Sequence, residues 1–169
     1  LSLITGGTVG EAAGDTFIAV ENLIGSNFND ILRGNLQLNM IEGRVGADRI
    51  IAGDGSDLTI GGRDADTVTG GAGNDRFIYN ARNEGGDIVT DFSSTGAGNN
   101  DRFEFAGDAF GNLAAGALAT IRFQSSNFAT AQNDKIRFFY EQDTRILRYD
   151  GDGNGAAAAI IIATLQVGA

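Results

Sequence analysis

The chain has 169 residues, with 22 acidic against 12 basic side chains and a formal charge of −10, a balance that argues against nucleic acid and anionic membrane as partners. It has no Cys and no His, which excludes disulfides, zinc sites and thiol or imidazole catalysis. Gly accounts for 26 residues and Pro for none, which suits tight turns between hydrogen-bonded strands better than a disordered linker.

Residues 1–24 read as a lead-in, with short strands at Ser2–Thr5 and Phe17–Ile24. The opening LSLITGG lacks the basic start of a secretory signal. It begins without Met and in mid-pattern, as a piece of a larger protein would. No apolar run reaches the ~20 residues of a membrane span.

From Gly25 to Ile78 a nine-residue beat runs without a slip: GSNFNDILR, GNLQLNMIE, GRVGADRII, AGDGSDLTI, GGRDADTVT, GGAGNDRFI. The sixth position holds Asp30, Asn39, Asp48, Asp57, Asp66 and Asp75. The first is glycine in five of the six blocks, and the eighth is Leu32, Ile41, Ile50, Thr59, Val68 and Phe77. Leu23 occupies the eighth position of a degenerate block starting at Thr16, so the register reaches back one further repeat. A nine-residue period with fixed glycine, aspartate and apolar places is the signature of a stacked parallel β repeat.

The nonapeptide G-G-x-G-x-D-x-U-x resembles the calcium-binding repeat of RTX (haemolysin-type) proteins. The resemblance implies an all-β fold: a parallel β-roll, a right-handed two-sheet solenoid, capped by a C-terminal antiparallel β-sandwich. In such a roll six residues of each block turn and three form a strand whose middle side chain points inward. Two blocks complete a coil, so equivalent residues are 18 apart. The inward residues then form two columns, Leu32/Ile50/Val68 and Leu23/Ile41/Thr59/Phe77. Asp30, Asp48 and Asp66 stack on one edge, and Asn39, Asp57 and Asp75 on the other.

Coils stack at the ~4.8 Å strand spacing, where two unit charges repel by roughly 1 kcal/mol in water and ~3.5 at an effective dielectric of 20. A cation must therefore lie between the turns. Calcium suits them, as a hard ion taking six or more oxygens, and magnesium suits them less. Resemblance to the family implies the ligands: carbonyls at positions two and four with the Asp at six, facing carbonyls at one and three with the Asp at six one coil later. One site would use Ser26, Phe28, Asp30, Gly43, Val45 and Asp48. A second would use Arg44, Gly46, Asp48, Gly61, Arg63 and Asp66, and a third Gly53, Gly55, Asp57, Gly70, Ala72 and Asp75. Three or more Ca2+ ions are expected. A fourth site, from the Asn35–Asn39 turn to Asp57, is weakened by the uncharged Asn39 and by Gln37 in place of glycine. Beyond the array, Gly71, Gly73 and Asp75 need a partner turn, and Asp87 is the nearest. Phe28 and Asp64 depart from glycine at position four.

After the array ordinary strand alternation returns, at Asp87–Phe92, Asp101–Phe105, Thr120–Phe123, Ile136–Glu141, Arg145–Asp150 and Ala157–Leu165. Asp108–Leu118 carries apolar residues at near-helical spacing and reads as a short helix, which Gly111 and Gly116 weaken. The resulting organisation is a lead-in over 1–24, a calcium-binding roll over 25–86 and a C-terminal β cap over 87–169. The Asp150–Gly155 run matches the start of an EF-hand loop, but Ile161 stands where that loop needs Glu, and a hairpin turn fits better. Gly70–Asn74 lacks the Lys-Ser or Lys-Thr of a phosphate loop. Asp101 with Glu104, or Glu141 with Asp143, has no companion group for acid–base chemistry.

The stretch Gly86–Phe92 followed by Asn100–Phe105 is similar to the step after the repeats in secreted metalloproteases and related type I secretion substrates. Arg148–Leu165 is similar to their carboxy-terminal hairpin. The resemblance implies a secreted, extracellular bacterial protein whose partners are an upstream domain and a type I (ABC) secretion apparatus, with no catalytic activity in this segment. An extracellular polysaccharide-binding module is the alternative, although Phe28 and Phe77 are the array's only aromatics. An adhesin, surface-layer or ice-binding solenoid is a third, although Thr67 and Thr69 alone make no regular threonine ladder.

Overall fold

A computed structural model describes residues 20–94, 99–116, 123–127, 135–153 and 157–166. The expected strand at Ser2–Thr5, the start of that at Phe17–Ile24 and most of that at Thr120–Phe123 lie outside the described residues.

Seven strands follow the repeats: β1 (Asn22–Ile24), β2 (Ile31–Arg33), β3 (Met40–Val45), β4 (Arg49–Asp54), β5 (Leu58–Arg63), β6 (Thr67–Ala72) and β7 (Arg76–Tyr79). Six more complete the chain: β8 (Asp87–Val89), β9 (Arg102–Phe105), β10 (Phe123–Ser126), β11 (Phe138–Glu141), β12 (Ile146–Tyr149) and β13 (Ile160–Leu165). From β1 to β9, odd and even strands go to opposite sheets. One sheet runs β1-β3-β5-β7-β9, and the other runs β10-β11-β12-β13-β8-β6-β4-β2.

Within the array every pairing is parallel and steps by 18 residues, as in Leu23↔Ile41, Ile41↔Thr59, Leu32↔Ile50 and Ile50↔Val68. This is the expected β-roll. Its inward columns are the expected ones, and Leu23, Leu32, Ile41, Ile50, Thr59, Val68 and Phe77 are all buried. Thr59 meets the cost of its buried hydroxyl by donating to Arg76 O at 3.3 Å. The strands β3 to β6 are six residues long rather than three. Identical turns stack in register, so pairing continues round the bend, through Arg44↔Gly62 and Val45↔Arg63 on one edge and Gly53↔Gly71 on the other.

The C-terminal strands grow out of the roll. β8 pairs with β6 and β9 with β7, so both sheets continue past the repeats. β13 then adds to β8 in parallel, and β12 and β11 follow antiparallel. Between the two sheets lies an aromatic core, with Phe92–Phe103, Phe105–Phe138 and Phe110–Tyr149 ring centroids 4.7, 4.5 and 5.1 Å apart. Such contacts add roughly 0.5–1.5 kcal/mol each to simple burial. The expected helix at Asp108–Leu118 does not form over its described part. Gly111 and Asn112 have φ of 79° and 53°, and two left-handed residues in succession end any helical turn. Among the described residues there is no helix, and hence none long and apolar enough to cross a membrane.

Candidate metal centre

Each edge of the roll carries a ladder built from the sixth-position side chains. On one edge Asp30 N donates to Asp48 Oδ1 at 2.7 Å and Asp48 N to Asp66 Oδ1 at 2.8 Å. On the other, Asn39 N donates to Asp57 Oδ1 at 2.7 Å and Asp57 N to Asp75 Oδ1 at 2.9 Å. One oxygen of each carboxylate is thus held by the coil before it.

The second oxygen is different. Oδ2 of Asp48, Asp57, Asp66 and Asp75 is buried and has no hydrogen-bond partner. A buried, unpaired carboxylate oxygen costs several kcal/mol unless a proton or a cation meets it. Burial accordingly raises these carboxyls: Asp57 and Asp75 to about 6, Asp66 to about 7, and Asp48 also upward. The backbone N–H bonds pull the other way, and the neighbouring carboxylates add a smaller upward push. The four orphaned oxygens therefore fit a cation, and hard oxygen donors fit calcium.

Glycine makes room for the remaining donors. A Cβ on Gly71 would overlap Gly53 O, and one on Gly73 would overlap Gly55 O. Carbonyls at positions two and four therefore face the next coil, with no side chain between. A Cβ on Gly43, Gly61 or Gly70 would strike Oδ2 of the Asp in its own turn. The repeat's glycines keep clear both sets of oxygens.

The stacking brings together the three expected groups. Ser26, Phe28 and Asp30 face the turn of Gly43, Val45 and Asp48; a Cβ on Gly46 would meet Phe28 O, and Gly25 N donates to Glu42 O at 2.7 Å. Arg44, Gly46 and Asp48 face Gly61, Arg63 and Asp66 through Arg44↔Gly62 and Val45↔Arg63. Gly53, Gly55 and Asp57 face Gly70, Ala72 and Asp75 through Gly53↔Gly71 and Asp54↔Ala72. Among the described residues no three side chains of Asp or Glu gather to hold a metal, so any such site must draw on backbone carbonyls.

The first rungs differ: Asp30 is satisfied within its own turn, whereas Asn39 Nδ2 is buried without a partner. Asp30 Oδ2 accepts from Ser26 N at 2.6 Å and from Ser26 Oγ at 2.8 Å, and Asn39 Oδ1 accepts from Asn35 N at 2.7 Å. Of the departures from glycine, Asp64 is left-handed at φ 74°, as is Arg44 at position two with φ 87°, whereas Phe28 is not. Phe28 instead leaves its ring 78% exposed.

Asp87 needs correcting as the partner of Asp75. It lies on the opposite edge, where it accepts from Asp66 N at 3.0 Å, and its other oxygen takes Tyr79 Oη at 2.8 Å. Strand β8, which it opens, pairs with β6, so Asp87 stands one coil beyond Asp66 at a spacing of 21. Desolvation raises its carboxyl to about 7. The partner of Asp75 is Asp101, which accepts from Asp75 N at 3.0 Å and from Ser93 N at 2.8 Å. Asp91 accepts from Gly70 N and Gly71 N at 3.0 and 2.7 Å, and the Asn99 amide, oriented with its nitrogen toward the acceptors, donates to Gly73 O at 3.0 Å. Sequence periodicity missed Asp91 and Asp101 because the chain steps by 21 residues from Gly70 to Asp91 and by 26 from Asp75 to Asp101, not by 18. Their only signal was the pair of aspartates in the D-I-V-T-D-F and N-D-R-F-E-F stretches. As for acid–base chemistry, Asp101 belongs to the ladder, and Glu104 is held by Arg76 and Arg102.

Residues 24–59 and 59–81 match the RTX calcium-binding nonapeptide repeat in four copies. No curated protein matches the chain. Among solved structures, the solution structure of the AlgE6R3 subunit from the Azotobacter vinelandii mannuronan C5-epimerase is similar, with a TM-score of 0.54 and 24% identity over 89% of this chain and 78% of that one. That likeness bears on the fold. The repeat segment and the roll it builds agree: this chain carries an RTX-type domain of calcium-binding nonapeptide repeats.

Proposed function

We propose that the chain is the calcium-dependent folding module of a larger exported protein, without catalytic activity of its own. The observation that carries this reading is the run of four buried aspartates, each with one oxygen in the ladder and one unpartnered. The residues that would hold the ions are the three groups named above: carbonyls of Ser26, Phe28, Gly43 and Val45 with Asp30 and Asp48; of Arg44, Gly46, Gly61 and Arg63 with Asp48 and Asp66; and of Gly53, Gly55, Gly70 and Ala72 with Asp57 and Asp75. When bound, calcium supplies positive charge between stacked carboxylates that otherwise repel.

The chain's own residues supply little else. Each block buries one modest side chain, worth about 1.5–3 kcal/mol. A ligand that binds only the folded state at about 100 times its Kd adds about 2.7 kcal/mol per site, so three sites rival the net stability of a domain, about 5–15 kcal/mol. Calcium is scarce in cytoplasm and abundant outside cells. A roll balanced this way is marginally stable without calcium and melts at low temperature, so it passes unfolded through a type I (ABC) channel and folds outside, where folding opposes return and supports the upstream domain.

The test is calorimetric titration of calcium into the metal-free chain, followed by circular dichroism and scattering. We expect at least three ions and a gain of β signal with compaction. A chain that binds none at millimolar calcium, or that is equally compact in chelator, overturns the reading.

A further inference from the structure

Asp64 stands at position four of its turn, where other turns of the array have Gly46, Gly55 and Gly73. Its backbone is left-handed, φ 74°, a conformation that aspartate tolerates better than most residues but glycine adopts freely. From there the side chain reaches back one coil, and Gly46 N donates to Asp64 Oδ2 at 3.2 Å. Gly46 lies in the turn stacked directly on that of Asp64. The carboxylate is exposed, and among the described residues no cation pairs with it: the nearby Arg44 turns instead to Glu42, at 3.8 Å.

The same pair of turns holds two of the orphaned oxygens, Oδ2 of Asp48 and of Asp66, on side chains 3% and 1% exposed. Asp64 adds negative charge felt by both of these carboxylates. Nothing in the ladder requires it. A glycine would satisfy the backbone with less strain and would remove the repulsion, so the carboxylate makes the metal-free roll less stable at this coil. Beyond its bond from Gly46 N, an acidic group with no cation partner at the rim of a buried carboxylate pair favours entry of a cation into the gap.

We propose that Asp64 sets the calcium affinity of the gap between turns 43–48 and 61–66, strengthening binding there at the expense of the metal-free fold. The inference rests on the calcium reading above.

Three variants separate the possibilities. Asp64→Asn keeps an oxygen for Gly46 N, suits the left-handed backbone and removes only the charge. Asp64→Gly also relieves the backbone. Glu42→Gln removes one unit of charge from the outer face of the sheet. Calcium titration of all three at low and at 0.5 M salt, with melting in chelator, gives the readouts. We expect Asp64→Asn to weaken one site about fivefold at low salt, with the difference shrinking at high salt as screening sets in. Melting in chelator should rise for Asp64→Asn and rise further for Asp64→Gly, while Glu42→Gln leaves the titration unchanged. If the parent chain binds calcium and Asp64→Asn titrates identically, or if Glu42→Gln weakens binding equally, the role of Asp64 is refuted while the calcium reading stands. Absence of calcium binding by the parent chain refutes both.

Discussion

Asp66 and Asp87 are 21 residues apart, yet Asp66 N donates to Asp87 Oδ1 at 3.0 Å as though the nine-residue beat had never stopped. The difference lies at the second oxygen. In Asp66 it is unpartnered, and in Asp87 it receives Tyr79 Oη. The ladder therefore ends on this edge in a rung closed by the protein itself, and Asp101 with Ser93 N closes the other edge in the same way.

Tyr79→Phe tests that closure. It strips the buried Asp87 carboxylate of its hydroxyl donor, and a buried acceptor left unpaired costs about 1–3 kcal/mol. The expected result is a lower melting temperature by a similar amount with calcium and with chelator, since the bond involves no metal. A loss seen only with calcium present would show that Asp87 is a metal ligand after all.

Asp48 and Asp30 provide a graded test of the shared ladder. Asp48 is buried, takes Asp30 N and faces two of the proposed gaps, whereas Asp30 is half-buried and satisfied by Ser26. Asp48→Ala should shift the calcium midpoint of folding by about tenfold or more and Asp30→Ala by less, given that one pKa or affinity decade is ~1.4 kcal/mol. Equal midpoints in a calcium titration followed by circular dichroism would rule out sharing.

Proton and calcium should compete for the same oxygens. In the metal-free roll the carboxyls of Asp57 and Asp75 are raised to about 6 and that of Asp66 to about 7, against an ordinary 3.8. A carboxyl raised on folding stabilises the fold while protonated, fully below about pH 4, and that contribution is lost as pH rises through 6–7. Melting in chelator should therefore be highest in mild acid and fall between pH 5 and 8. Calcium affinity should rise over the same window, with proton release measurable as a buffer-dependent binding enthalpy. A chelated melting temperature that is flat from pH 5 to 8 would contradict the buried, unpaired carboxylates.

Arg44→Gly should stabilise the chain. Arg44 has φ 87°, a left-handed conformation that costs a residue with a Cβ roughly 1–2 kcal/mol. Its ion pair with Glu42 is long at 3.8 Å and exposed, so little is lost with it. A rise in melting temperature of a few degrees is expected, and a fall would mean that the arginine side chain makes a contact outweighing the strain.

Much of this molecule is local arithmetic. Because each coil repeats after 18 residues, the period alone determined that Leu32 stacks on Ile50 and Val68, that Asp48 lies between Asp30 and Asp66, and that glycine must stand where carbonyls meet the next coil. Those facts need only neighbours one coil away. The ends of the ladder are another matter. Asp87 and Asp101 follow connections of different length, and which edge each joins depends on β8 pairing with β6 and β9 with β7. Likewise, the near-helical spacing of Phe110 and Leu113 could not reveal that Gly111 and Asn112 turn left-handed, bringing Phe110 against Phe105 and Tyr149. The reach of β13 across to β8, which joins cap and roll into one sheet, is a contact between residues more than 70 positions apart. No period encodes such a pairing; it is decided by which exposed sheet edge and which apolar face remain to be covered once the roll has formed.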